Sequence, residues 1–469
     1  MYSLRAMLNY IWLGMVVLAV IIGGCTDHLK EVADKSFEMA EFAVMKTALP
    51  LVGIMALWLG IMRLAERAGL VALLARALRP LMVWLFPDVP HDHPAMGSML
   101  MNMAASILGL GNAATPLGLR AMKDLETLNP RPGTATNAMC TYLAINTSSI
   151  QLIPATAIAI LAANRAVNPT AIVGTSIMAT SCAAIAAVAA AKFLQRLPIY
   201  RLPPVTTPAS KAVVEPGDSQ AAKGNNDKPI IKEAATLQPL EWWGVAIMAA
   251  FGAFFLYLFF RLVFPEVLRQ TLGSLVPALA PPAAATAVVS STFVRIVDAV
   301  SKLAIPFMLS VFPLYAALRR VKVYEEFVDG AKEGFDVAIR IVPYLVAILV
   351  AMGMFRAAGG IDLLSDVLAP AMQAIGFPPP LLPMVLMRPL SGSGTLGLFA
   401  ELVKQYGPDS MISRMGGTIF GSTETTFYVL AVYFGSVAVK RTRYALPAGL
   451  VADTVGVIAS VIFCKMVFE

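Results

Sequence analysis

Of 469 residues, 58% are hydrophobic and only 14% charged, and the mean hydropathy is +0.72. That balance excludes an ordinary soluble domain and predicts an all-α polytopic membrane protein. The net charge of +7 does not mark a nucleic-acid surface, because the basic residues flank apolar stretches, and the four cysteines lack the CxxC spacing of a metal or redox site.

Met1–Arg5 followed by Ile11–Gly24 resembles a signal segment, and Ile22–Cys25 loosely fits a lipoprotein box; the stretch is read as a retained first span. A charged amphipathic helix is expected at 29–42, a span opened by Pro50 after it, and a second amphipathic helix at 67–86. His91 and His93 stand among prolines and read as a polar surface turn. A re-entrant hairpin (94–128), a broken span (134–161) and a closing span (168–193) complete residues 1–197. Residues 198–238, rich in Pro, Ser, Thr, Lys, Asp and Gly, read as a flexible cytoplasmic linker. Residues 239–299 hold one extra span, Leu240–Val263, and a connecting segment.

Residues 300–469 repeat the plan: a span, an amphipathic helix at 322–337, a span opened by Pro343, an amphipathic helix at 360–376, a hairpin at 380–405, a broken span at 410–436 and a closing span at 442–466. Pro50, Gly60 and Arg63 recur with the same spacing as Pro343, Gly353 and Arg356. The extra span after the linker flips the second unit, so an inverted-topology repeat is predicted. Lys and Arg, among them Arg63, Arg67, Arg76, Arg79, Arg319, Arg320, Lys440, Arg441 and Arg443, concentrate on one side, which places the N-terminus inside and the C-terminus outside.

Two polar breaks interrupt otherwise apolar helices, and each recurs roughly 280 residues later. Gly111–Leu119 pairs with Ser391–Leu398, and Asn146–Ser149 pairs with Ser422–Thr426. Backbone outside a helix is tolerated at membrane depth only where it is buried in protein or lines a wet cavity. Broken helices in matching positions of two halves point to a transporter's binding site. The candidate binding set is therefore Asn112, Thr115, Asn146, Thr147, Ser148, Ser149 and Gln151 from the first unit. Arg388, Ser391, Ser393, Thr395, Ser422, Thr423, Thr425 and Thr426 come from the second. Singly, such hydroxyls often only satisfy freed backbone or glue helices.

Glu424 lies among hydroxyls inside an apolar span, where an acid costs roughly 2.5–3.5 kcal/mol on insertion scales. It suits an ion-coupling role, with Asp453 in the closing span as a second candidate; the plainer reading is a permanent salt bridge to Arg388. Arg388 is either a clamp for an anionic or carbonyl group or a neutraliser of these acids. Neither charge has a counterpart in the first unit, so the site is expected to be asymmetric. GxSxG, Walker and HExxH motifs are absent, so no enzyme is expected, and the 25 methionines read as membrane packing.

Asp92–Gly97, Gly109–Pro116 and Asn146–Gln151 resemble the spore maturation protein A family, while Ser301–Pro306, Arg388–Gly394 and Gly421–Tyr428 resemble spore maturation protein B. The chain is thus similar to a fusion of the two, within the gate, or nucleoside recognition, superfamily. The resemblance implies a bacterial inner-membrane protein whose paired gate units form one transport core, and gate relatives often associate as homo-oligomers. The expected function is secondary transport of a small polar solute, a nucleoside-like one among the candidates, coupled to a proton or sodium ion with no other cofactor. The expected partners are that solute and the lipid bilayer, not nucleic acid. The rival readings are a non-transporting scaffold or sensor in envelope or spore maturation, and a carrier of a lipid-linked cell-wall intermediate.

Overall fold

The computed structural model describes residues 4–109, 111–200, 202, 240–272, 291–360, 363 and 376–469. Every regular element among them is helical, apart from an isolated bridge between Thr134 and Arg441. Nearly all of the linker expected at 198–238 and of the amphipathic helix expected at 360–376 lies outside the described residues, as does 273–290.

The first half runs α1 (Leu4–Cys25), α2 (Leu29–Glu41), α3 (Leu49–Arg67), α4 (Leu70–Leu85), α5 (Pro94–Ile107), α6 (Gly111–Glu126), α7 (Asn137–Ser148), α8 (Ala155–Ala163) and α9 (Ile172–Leu194). After α10 (Trp242–Val263) and α11 (Pro265–Leu272), the second half contains α12 (Thr292–Leu318), α13 (Val323–Ala357), α14 (Leu382–Met387), α15 (Gly392–Tyr406), α16 (Met411–Ser422), α17 (Thr426–Gly435) and α18 (Ala445–Phe468). Among the described residues, five continuous helical stretches are long and apolar enough to cross a membrane: Leu29–Arg67, Ile172–Leu194, Trp242–Val263, Thr292–Leu318 and Ala445–Phe468. The protein is therefore a multi-pass membrane protein. The helix α10 carries its apolar side chains outward, with Trp242, Phe254, Leu256 and Phe260 exposed, as suits a surface bathed in lipid.

The charged amphipathic helices and the proline-opened spans are not separate elements. Residues 29–67 form one continuous helix, with a π-helical segment at Phe42–Ala48 between α2 and α3. Pro50 lacks an N–H and its ring would crowd the carbonyl of Lys46 in a regular α-helix; the wider turn just ahead of it takes up that misfit. In the second half α13 runs unbroken through Pro343.

The long helices α3 and α13 lie antiparallel along each other. Gly60 packs under Phe327, Gly330 meets Leu59 and Arg63, and Gly334 meets the backbone of Met55 and Ala56. The spacing of Gly330 and Gly334 lets backbones approach where no Cβ intervenes. The contact is reciprocal: Gly353, which matches Gly60, receives Met39 of α2. Arg63 pairs with Glu326 at 3.1 Å and Glu333 at 2.8 Å, whereas its counterpart Arg356 pairs with Glu401 of α15 at 2.8 Å.

A second extensive contact between halves joins α9 to α18. Asn168 and Phe468 border one surface cavity, Gln195 and Arg443 another, so these helices are also antiparallel. Thr175 and Thr418 share a hydrogen bond of 2.8 Å at their buried seam with α16, and Cys464 donates to Thr418. An added Cβ at Gly334 would stand 2.6 Å from the Met55 carbonyl oxygen and 2.7 Å from the Ala56 Cα. Gly334→Ala should therefore lower stability by about 1–3 kcal/mol. Thermal unfolding in detergent micelles measures it; an unchanged midpoint would contradict the close contact.

Candidate functional site

Four interruptions of helix converge in the interior. α5 and α6 form an antiparallel pair, with Ser98 donating to Asp124 at one end and the Asn102 amide donating to the Ala114 carbonyl at 2.8 Å near the other. α5 ends at Ile107 and α6 begins at Gly111, so Gly111–Leu119, expected as a break, is helical and the interruption falls before it; α14 gives way to α15 at Arg388–Ser391. α7 stops at Ser148 and α8 resumes at Ala155, while α16 stops at Ser422 and α17 resumes at Thr426. Thr136, Ser391 and Ser410 cap α7, α15 and α16, each hydroxyl accepting a backbone N–H of the first turn. His93 does the same for α5, its ring Nδ1 accepting from Ala95 N at 3.2 Å.

A helix end leaves backbone groups without partners inside the helix, and here the breaks supply each other. Glu424 N donates to the Thr147 carbonyl at 2.7 Å, Leu152 N to Ile107 at 3.0 Å and Phe427 N to Pro389 at 3.0 Å. The Thr180 hydroxyl reaches the carbonyls of Ser148 at 2.7 Å and Ser149 at 3.0 Å. Ser149 turns the chain with φ +40, the left-handed region that non-glycine residues enter at a cost of roughly 1–2 kcal/mol.

Between the α5–α6 reversal and the two broken helices lies a cavity of about 190 Å³. Ser106, Gly109, Ala114 and Thr115 line it from the helix pair, Asn146, Ser149 and Gln151 from the first broken helix, and Glu424, Tyr428, Val429 and Tyr433 from the second. Of the residues singled out in the sequence, Thr115, Asn146, Ser149, Gln151 and Glu424 are thus brought together across the two halves. The Glu424 carboxylate is half-buried, and its Oε1 accepts from Ser149 Oγ at 3.4 Å and Gln151 Nε2 at 3.3 Å. The side chain of Asn112 lies outside the described residues.

The remaining candidates sit behind this cavity. The hydroxyls of Thr147, Ser148 and Ser422 bond to carbonyls of their own helices, as does that of Thr395 to Ser391. Ser391 is the α15 cap, with half-buried Ser393 beside it at 3.5 Å. Thr425 takes a long bond from Arg388, and Thr423 is buried with its hydroxyl unpaired.

Arg388 is 3% exposed; its guanidinium stacks 4.8 Å from the Phe420 ring and donates to the Phe420 carbonyl at 2.9 Å. It forms no ion pair with Glu424 or Asp453 among the described residues, so the salt bridge expected at Glu424 is not made; hydroxyl and amide donors hold that carboxylate instead. The opposing charges that Arg388 faces at longer range are those same two acids. Asp453 is 5% exposed, accepts from Thr426 Oγ1 at 2.5 Å through one oxygen and leaves the other unpaired.

Sequence reading passed over Asn102 and Tyr142. Tyr142 OH donates to Asn102 Oδ1 at 2.6 Å, and both are fully buried, tying α5 and α6 to α7 beside the cavity. A lone amide in the apolar run from Met99 to Ala105 was the available signal. Tyr428 and Tyr433 read as ordinary membrane aromatics until the fold turned them toward the cavity.

A family model described as Gate, nucleoside recognition, matches residues 48–195 and 338–440. Over 174 residues the chain is 45% identical to spore maturation protein B of Bacillus subtilis (strain 168), a match covering 37% of this chain and 98% of that protein. Over 171 residues it is 43% identical to spore maturation protein A of the same organism, covering 36% of this chain and 87% of that protein. No solved structure matches the chain. Tyr142→Phe should cost about 1–3 kcal/mol by leaving the buried Asn102 oxygen without its donor. Denaturant unfolding in micelles checks the value, and a neutral result would remove Asn102 from the framework of the cavity.

Proposed function

The chain belongs to the Gate, nucleoside recognition, family, and from that premise we propose that it is a secondary transporter of a small polar solute in a bacterial inner membrane. The observation that carries this reading is the cavity where a reversed helix pair and two broken helices meet, lined from both halves of the chain. Irregular backbone inside a membrane protein is retained where it lines a cavity, and broken helices are a recurring way of building a transport site. The antiparallel pairings of α3 with α13 and α9 with α18 support an inverted repeat, with α10 reversing the second unit and the two helix pairs serving as re-entrant hairpins.

In this reading the solute binds in the cavity and the two units rock about it in alternating access. Glu424 is the ion-coupling group, because it is the acid that borders the cavity. Asp453 lies behind it and Arg388 supplies a fixed opposing charge to both. The N-terminus and the linker face the cytoplasm, and the C-terminus faces outward.

Two experiments test the proposal. In proteoliposomes, wild-type protein should drive solute-dependent current or labelled uptake from a panel of nucleosides, nucleobases, amino acids, amines and small carboxylates. Glu424→Gln should slow it by about tenfold or more, equivalent to ~1.4 kcal/mol. Equal rates in the two proteins would remove Glu424 from coupling, and a panel silent in both flux and binding would favour a scaffold. Separately, a phosphatase fused after Glu469 should be active in the periplasm and one placed in the linker inactive; the opposite pattern would overturn the orientation.

A further inference from the structure

We propose that the solute held in this cavity is a small organic monocation, bearing an ammonium or amidinium group, and that it is smaller than a nucleoside. The inference rests on the cavity being the solute site, and four observations carry it.

The first is size. An apolar cavity of about 150 Å³ holds benzene, so 190 Å³ accommodates a solute of about eight non-hydrogen atoms. A nucleoside has roughly twice that many.

The second is the sign of the charge. Glu424 is the charged residue in the cavity lining, whereas Arg388 is turned onto Phe420 and its carbonyl. The Glu424 donors reach Oε1 at 3.3 and 3.4 Å, near the limit of useful hydrogen bonding, and Oε2 accepts no bond among the described residues. A carboxylate so weakly held gains most from a charge-assisted donor.

The third is the use of the neutral groups. Asn146 donates one of its two amide N–H groups to the Tyr142 carbonyl at 2.9 Å and keeps Oδ1 as an acceptor. Gln151 spends its own on Ser149 and Glu424, leaving Oε1. The cavity therefore offers acceptors at Glu424, Asn146 and Gln151, while both donors of the Gln151 amide are engaged inside the protein. An ammonium group has three N–H donors and no acceptor, the complementary inventory. Tyr428 and Tyr433 add phenol rings, whose faces attract cations.

The fourth is charge balance. Arg388 faces Glu424 and Asp453 only at longer range and forms an ion pair with neither among the described residues, so the Glu424 carboxylate has no direct countercharge. Uncompensated charge away from water is costly, and a bound monocation removes it.

The test is binding to the purified full-length protein in nanodiscs, read by thermal shift and by competition against labelled methylammonium. Methylammonium, ethanolamine and guanidinium should raise the melting temperature of the wild type. Propionate, glycerol and uridine should not. Glu424→Gln should weaken methylammonium binding by tenfold or more while melting normally without ligand, and Glu424→Asp should retain part of the affinity, which guards against a mere folding defect. Cavity-dependent binding of uridine or propionate would overturn the inference, as would amine binding unaffected by Glu424→Gln. An equal shift from sodium chloride alone, lost in Glu424→Gln, would assign the site to an inorganic cation and overturn it too, as would a complete lack of amine binding. Amine binding without uptake would defeat the transport reading and leave this one standing; uptake of an uncharged solute without amine binding would do the reverse.

Discussion

The unpaired backbone at the helix breaks is the constraint on which the rest of the structure depends. In an apolar interior each exposed N–H or carbonyl costs several kcal/mol, so an interrupted helix survives only if partners are brought to its ends. Here the partners are other interruptions. The Glu424 amide meets the Thr147 carbonyl across the two halves, Leu152 meets Ile107 and Phe427 meets Pro389. Thr180 covers the two carbonyls that remain at the end of α7. Because each break completes another, they must sit together, and the space they leave between them is the cavity.

That arrangement demands close approach elsewhere. The glycines Gly60, Gly330, Gly334 and Gly353 bring α13 against α2 and α3 so that the long helices of the two halves form one frame. α9 and α18 form a second seam, and both reach Thr418 of α16, which shares a hydrogen bond with Thr175 and accepts one from Cys464. Ionic contacts lie mostly toward the exposed ends of this frame, as between Arg63 and Glu326 or Lys404 and Glu38. The buried charges Arg388 and Asp453 are instead held by carbonyl and hydroxyl groups. Two kinds of charge therefore coexist: paired ones that fasten helices, and buried ones near the cavity that are held apart from each other.

Asymmetry between the halves follows from the same geometry. Matching breaks occur in both, yet the cavity is bordered by the helix pair of the first half and not by that of the second. The second pair places Arg388 against Phe420, and its serine and threonine serve as cap and backbone acceptor partners. Among the described residues that line this cavity, the acid comes from one half and most of the neutral lining from the other.

The sequence by itself determined that helices are interrupted near these four places, since glycine, proline and clustered hydroxyls inside apolar runs act locally on backbone preference and solvation, but not the exact stops: Gly111–Leu119, Gly392–Leu398 and Asn146–Ser148 are helical, and the interruptions fall beside them. It also determined the membrane class, the matched order of elements and the oddity of Glu424, because each is a property of residues near one another in the chain. Only the tertiary structure decided that Pro50 and Pro343 lie within continuous helices, with a π-helical segment just ahead of Pro50. It alone decided that Glu424 joins Asn146, Ser149 and Gln151 rather than Arg388. Which side chains face one cavity depends on the crossing of helices hundreds of residues apart, and no local pattern encodes that crossing.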